Sequence, residues 1–320
     1  MIYIKALEFI DDELKMNEIP VPEPEDNEVL VKTRLAGVCN TDLEILRGYQ
    51  GFEGVLGHEF VGTVVEDNKG ELKDKRVVGS INIPCNYCAI CQQGLYNHCQ
   101  NIRCLGIINK DGVFAEYFTL PRENIYLLPD QISDQEAVFV EPMAAAVEII
   151  EKIHIRPTDD VVVLGDGKLG LITAMTLWSM GYDIKVVGKH SDKLNILEEM
   201  GIETVMLDKF NKRTQVVIDC TGSNSGLETA IKSVQPEGKI ILKTTLADNY
   251  NINLSKIAVN ELQIIGSRCG PFAPTIRLMK RNKLPLKKMI DKIFDFKDGV
   301  EALNYAAQKG VMKVLLKFDY

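Results

Sequence analysis

The run Val161-Val162-Val163-Leu164-Gly165-Asp166-Gly167-Lys168-Leu169-Gly170 constrains the fold more than any other part of this 320-residue chain. Four consecutive apolar residues read as a strand buried on both faces, and residues 169–180 after the glycines read as a helix. The same grammar repeats downstream. Residues 184–187 form the next apolar run, a helix runs from Ser191 to about Met200, and strands follow at 204–207, 216–219, 239–242 and 262–265. Buried strands joined by helices imply a parallel sheet with helices on both faces and right-handed crossovers. In that context the glycines match G-x-G-x-x-G. Gly165 permits the tight turn, Gly167 lets the backbone approach a pyrophosphate, and Gly170 lets helix pack on strand. Lys168 and Leu169 open the helix, whose free N–H groups and positive dipole end suit phosphates. The alternative, a glycine-rich turn without function, lacks a reason for the downstream pattern.

The second strand bears on which dinucleotide fits. An Asp or Glu roughly twenty residues after the glycines ordinarily accepts from the ribose hydroxyls of NAD. Here the strand ends Val187-Gly188-Lys189-His190, with glycine where the acid belongs. That leaves room for a 2′-phosphate, with Lys189 and His190 as its partners, so the sequence favours NADP and leaves NAD possible. As a bland alternative, Lys189 and His190 are surface residues after a strand.

Around this core the chain changes character. The first 130 or so residues carry short strand-like runs at 29–33, 60–65 and 76–79, separated by acidic, Pro- and Gly-containing turns. Residues 134–153 turn helical, with Pro142 near a first turn or kink. The last fifty residues mix a helix or two with a closing strand over 311–318. The length suits two domains, and no repeat or low-complexity tract interrupts them.

Two groups of metal-ligand residues lie in the β-rich part. Cys85-x2-Cys88-x2-Cys91-x7-Cys99 has the spacing that closes a loop tetrahedrally on one Zn²⁺ with no open position. Cys39-Asn40-Thr41-Asp42 with Gly57-His58-Glu59 instead mixes thiolate, imidazole and carboxylate, a set that leaves a position for water or substrate. A nucleic-acid zinc ribbon fits poorly with a net charge of −8. No apolar run approaches the roughly eighteen residues of a membrane span. The N-terminal residues lack the layout of a signal peptide, and metal binding outranks disulfides for the eight cysteines. These features give a cytoplasmic protein as the expectation, without nucleic-acid or membrane partners.

Taken in order, Gly37-Val38-Cys39-Asn40-Thr41-Asp42, Gly57-His58-Glu59, the four cysteines, Val140-Glu141-Pro142 and the Gly165–Gly170 loop resemble the zinc-dependent medium-chain alcohol dehydrogenases, in particular the sorbitol and threonine dehydrogenase branches. The resemblance covers essentially the whole chain. It implies an α/β protein: a GroES-like catalytic domain from residues 1–141 and 272–320, with a structural zinc lobe at about 84–104, and a Rossmann domain over 142–271. It implies two zinc ions per chain, one catalytic and one structural. Cys39 and His58 become ligands of the catalytic zinc, Glu59 and Glu141 alternative or joint carboxylate ligands, and Asp42 the carboxylate that orients His58. Thr41 takes the position that relays the alcohol proton. Glu44 stands where many relatives carry a histidine, either as the next proton acceptor or as a solvated carboxylate. Thr221 and Gly222 border the nicotinamide, Ser267 and Arg268 end a neighbouring strand, and Lys313 approaches the pyrophosphate or is a surface lysine. The implied activity is hydride transfer between a nicotinamide cofactor and a small alcohol or carbonyl substrate, with a secondary alcohol, polyol or sugar-like hydroxyl favoured, in a homodimer or homotetramer. Aldehyde reduction towards primary alcohols and a non-catalytic, nucleotide-binding redox sensor are the alternatives.

Overall fold

Asp11 and Asp12 both adopt left-handed backbone, with φ of 52° and 58°, and so form the two-residue turn that matches the twist of paired strands. They join β1 (Tyr3–Ile10) to β2 (Glu13–Pro20) in a computed structural model that describes residues 2–243 and 252–319. The chain continues through β3 (Glu28–Gly37), α1 (Asn40–Ile45), β4 (Gly54–Val55), β5 (Glu59–Asp67), β6 (Arg76–Gly79) and β7 (Asn82–Ile83). It then forms α2 (Ala89–Gln92), β8 (Arg103–Cys104), β9 (Tyr117–Pro121), β10 (Ile125–Leu127), α3 (Asp134–Ala137) and α4 (Val140–Lys152). Pro142 lies in the first turn of α4, where its missing N–H has no intrahelical partner to lose.

Strands and helices then alternate, except that β14 follows β13 without an α-helix between them: β11 (Val161–Leu164), α5 (Lys168–Ser179), β12 (Ile184–Gly188), α6 (Ser191–Glu198), β13 (Glu203–Met206), β14 (Thr214–Asp219), α7 (Asn224–Ser233), β15 (Val234–Leu242), α8 (Leu254–Val259), β16 (Gln263–Gly266) and α9 (Phe272–Arg281). Finally come β17 (Ile290–Asp295), α10 (Gly299–Ala306) and β18 (Lys313–Lys317).

Residues 1–141 and 289–320 form one compact unit, and 142–288 the other. In the first, β18 brings the end of the chain beside β3 in a sheet ordered β10-β6-β5-β3-β18-β17, with β9 also paired to β3. Its core includes Val29, Val31, Val61, Val64, Phe114 and Leu315, and the rings of Phe60 and Phe118 meet edge to face at 4.8 Å. In the second unit, six strands ordered β13-β12-β11-β14-β15-β16 are all parallel. Val162, Leu164, Val187, Val217, Leu227 and Ile240 form a buried cluster there, as continuous apolar strands require.

One expected boundary moves. The sequence reading returns the chain to the first domain at 272, whereas the first unit resumes at Met289. The segment before α9 explains why: a side chain at Gly270 would come within 1.9 Å of the carbonyl of Ala144 in α4, so this backbone lies directly on the second unit. Helix α9 follows with Phe272, Thr275, Ile276 and Met279 buried along one face.

Candidate active site and dinucleotide loop

Gly37 explains the geometry of the mixed cluster in the first unit. It ends β3 opposite Glu59 of β5, with Leu315 of β18 on its other side. A side chain at Gly37 would lie 2.4 Å from Glu59 Oε2, so the glycine leaves the space that this carboxylate occupies. Two residues on, Cys39 caps α1 and its N–H donates to Asp42 Oδ2 at 2.8 Å. The same carboxylate presents Oδ1 to His58 Nδ1 at 3.1 Å. A single buried aspartate thus fixes both the turn that carries Cys39 and the ring of His58.

The donor atoms of Cys39, His58 and Glu59 all lie within 4.8 Å of one another. Asp42, His58 and Glu59 are buried, whereas Cys39, Thr41 and Glu141 are only half-buried, so the cluster has a closed back and a more open front. Thr41 Oγ1 lies 3.7 Å from Cys39 Sγ on that front. Burial alone would lower the pKa of His58, but the charges of Asp42 and Cys39 hold it well above its ordinary value. Asp42 Oδ1 and His58 Nδ1 are buried without a well-aligned hydrogen bond. Thiolate, imidazole and carboxylate converging in so acidic a field fit a divalent metal, zinc foremost.

Lys313 is a correction. The sequence placed it at a pyrophosphate or on the surface. It is 1% exposed, and its ammonium donates to Glu59 Oε2 at 2.5 Å while standing 5.6 Å from the Phe139 ring centre. Burial works against its charge, but Glu59 first, then Cys39 and Glu141, raise its pKa above the ordinary lysine value. Glu141 adds to the negative field on this lysine, although it stands outside the three-residue donor cluster. Glu44 accepts from Arg47 Nη1 at 2.8 Å on the exposed side of α1.

The four cysteines also converge, with Cys88 Sγ 3.5 Å from Cys91 Sγ and 3.9 Å from Cys99 Sγ. Tetrahedral zinc with bonds near 2.3 Å sets its sulfurs about 3.8 Å apart. Backbone N–H groups of Cys85 and Asn101 point at Cys99 Sγ, both at 3.3 Å. Backbone N–H donation from Cys91 and Gln100 brings Cys88 down to about 6. The set fits a closed, structural zinc.

In the second unit, Gly165 has φ of 110° and donates its N–H to the carbonyl of Val187 at 2.8 Å. A side chain at Gly170 would sit 1.9 Å from the carbonyl of Gly165, whereas one at Gly167 would meet nothing within 4 Å. The loop is thus packed where helix meets strand and open over Gly167, the N-cap of α5, with Lys168 and Leu169 in the helix's first turn. Such a loop fits the phosphates of a dinucleotide. Thr221 donates from both N and Oγ1 to Asp219 Oδ1, and Gly222 follows at φ of 66°. Ser267 Oγ and the carbonyl of Arg268 both accept from buried Lys243, at 3.3 and 3.0 Å. Asp166 was overlooked. Its Oδ2 accepts from the backbone N–H groups of Lys189 and His190, so the pair assigned to a 2′-phosphate already holds a carboxylate.

Residues 25–130 match the alcohol dehydrogenase GroES-like domain, and residues 169–281 the zinc-binding dehydrogenase family. The chain is 27% identical to a sorbitol dehydrogenase of Bombyx mori over 95% of both sequences. The structure of an Escherichia coli alcohol dehydrogenase, RspB, complexed with NADH superposes with a TM-score of 0.90 at 26% identity, over 99% of each chain. A Sinorhizobium meliloti putative zinc-binding dehydrogenase bound to NADP gives 0.89 at 26% identity, covering 99% of this chain and all of that one. The chain belongs to the zinc-dependent medium-chain alcohol dehydrogenase family.

Among the described residues, no helix is long and apolar enough to cross a membrane.

Proposed function

We propose that this protein is a zinc-dependent dehydrogenase that moves a hydride between a nicotinamide cofactor and a secondary alcohol, polyol or sugar-like hydroxyl, or the matching ketone. The observation that carries the reading is the convergence of Cys39, His58 and Glu59, braced from behind by Asp42 and Lys313. These residues would hold the catalytic zinc, which supplies Lewis acidity at the substrate oxygen. Asp42 keeps His58 oriented, an arrangement whose loss typically costs 10–100-fold in metal affinity or activity. Lys313 holds Oε2 of Glu59, and half-buried Glu141 is the further carboxylate of the proposed ligand set.

In the oxidative direction, a bound nicotinamide would supply the acceptor for the hydride of the substrate C–H bond, and the hydroxyl would lose a proton. Thr41, beside Cys39, is the hydroxyl placed to pass that proton on. Glu44 is engaged with Arg47 on the solvent side of α1, and solvent is the final acceptor in this reading. The second unit binds the cofactor through Gly165, Gly167, Lys168, Leu169 and Gly170. Thr221, Gly222, Ser267 and Arg268 shape the strand ends beside it. Cys85, Cys88, Cys91 and Cys99 hold a second zinc whose role is structural. The sequence leans to NADP on the acid absent at Gly188; the carboxylate of Asp166 beside that glycine bears on the choice.

Nicotinamide absorbance tests the reading with a panel of polyols, secondary and primary alcohols, ketones and aldehydes. The expected result is highest kcat/KM on a secondary hydroxyl of a polyol or sugar-like substrate. Preference for primary alcohols and aldehydes would replace it with the aldehyde-reductase reading. Cofactor binding without turnover on any substrate would favour a sensor.

A further inference from the structure

We infer that Asp166 selects the dinucleotide and that it selects NAD over NADP. The inference rests on the nicotinamide-cofactor reading of the second unit and goes beyond it. In sheets of this kind the acid that accepts from the adenosine ribose sits at the end of the second strand. This chain has Gly188 there, and glycine suggests vacant space. The space is filled: a side chain at Gly188 would come within 2.5 Å of Asp166 Oδ2. Strands β11 and β12 run parallel with Leu164 beside Val187, so Asp166, two residues past β11, stands next to Gly188, Lys189 and His190. The carboxylate has moved from one strand end to the neighbouring turn.

The hydrogen bonds show what that carboxylate does to a phosphate. Oδ2 accepts from the N–H of Lys189 at 2.5 Å and of His190 at 2.6 Å. His190 Nδ1 lies 3.1 Å from Oδ2 and 3.2 Å from Oδ1. The backbone donors at the end of β12 are therefore spent on Asp166. A carboxylate has about four acceptor positions, and Oδ1, whose hydrogen-bond partner among the described residues is the His190 ring nitrogen, keeps lone pairs for a hydroxyl donor. The 2′-hydroxyl of NAD can donate there. The 2′-phosphate of NADP offers mainly negative oxygens at neutral pH and meets a like charge. Exposed Lys189 compensates weakly because its charge is solvated.

The test is a titration of the full-length protein with NADH and with NADPH, without substrate, following nicotinamide fluorescence. Wild type should bind NADH at least about tenfold more tightly than NADPH, a modest effect for one nearby like charge. Asp166→Ser removes the charge and frees both backbone donors, so the ratio should fall to about one or invert. Asp166→Gly combined with Gly188→Asp returns an acid to the usual strand end and should restore the preference for NADH. Thermal midpoints report whether each variant is folded. Wild type binding NADPH as tightly as NADH would overturn the inference before any variant is made. An unchanged ratio in folded Asp166→Ser would overturn the role of that residue. Failure of folded wild type to bind either dinucleotide would instead overturn the nicotinamide reading, and with it this one.

Discussion

At the scale of single residues, the Cys39–His58–Glu59 cluster has two buried partners of opposite charge, Asp42 and Lys313. Lys313 is sealed against Glu59, and removing one member of such a pair leaves the other charged and unsolvated. Lys313→Met should therefore destabilise the protein by about 3–5 kcal/mol, read from urea denaturation. A change below about 1 kcal/mol would mean that Glu59 finds another partner. Asp42→Ala should act differently, lowering zinc affinity about 10–100-fold through loss of the His58 brace. Competition with a chelator measures this, and unchanged affinity would remove Asp42 from the assembly. Asp166 gives a pH dependence with a definite sign. Burial would raise its pKa, but N–H donation from His190 and Lys189 and the His190 ring outweigh burial and lower it below the ordinary aspartate value. Its contribution to stability is thus present above the unfolded-state pKa and lost as pH falls through the lower folded value. The stability gap between wild type and Asp166→Asn should hold near neutrality and close below about pH 4. A gap that grows on acidification would contradict the hydrogen bonds described.

At the scale of elements, what was legible depended on how much of each segment is buried. β11, β12 and β14 are buried almost throughout and read directly as apolar runs. β2 and β17 did not, because β2 is nowhere fully buried and β17 buries only Phe294, so the apolar signal of each is short. The cysteine, histidine and glycine motifs were visible because their partners lie close in sequence. The Lys313–Glu59 pair spans 254 positions and becomes visible only when β18 is known to lie beside β3. The role of Asp166 likewise needs the parallel register of β11 and β12. Helix α5 offers a direct test of its packing on the glycine loop. Gly170→Ala places a methyl group against the carbonyl of Gly165 and should cost about 1–3 kcal/mol, with weaker NADH binding. Wild-type stability and binding in that variant would mean the helix can shift without penalty. Within the cysteine lobe, Cys91→Ser should lower both the zinc content and the thermal midpoint, because structural zinc contributes folding free energy.

For the whole molecule, the sequence, the sheet topology and the family comparison converge on a zinc-binding dehydrogenase, and the described residues hold two separate groups of metal-donor side chains. Under the proposed function, removing metal should have a different consequence at each set: loss of turnover for the mixed cluster and loss of stability for the four cysteines. The most direct test follows polyol oxidation with nicotinamide cofactor in protein stripped of metal and then titrated with zinc. Turnover should vanish on stripping, return with zinc in wild type, and fail to return in His58→Ala even when the protein is folded. Full turnover by metal-free wild type, or undiminished turnover by His58→Ala, would contradict the account.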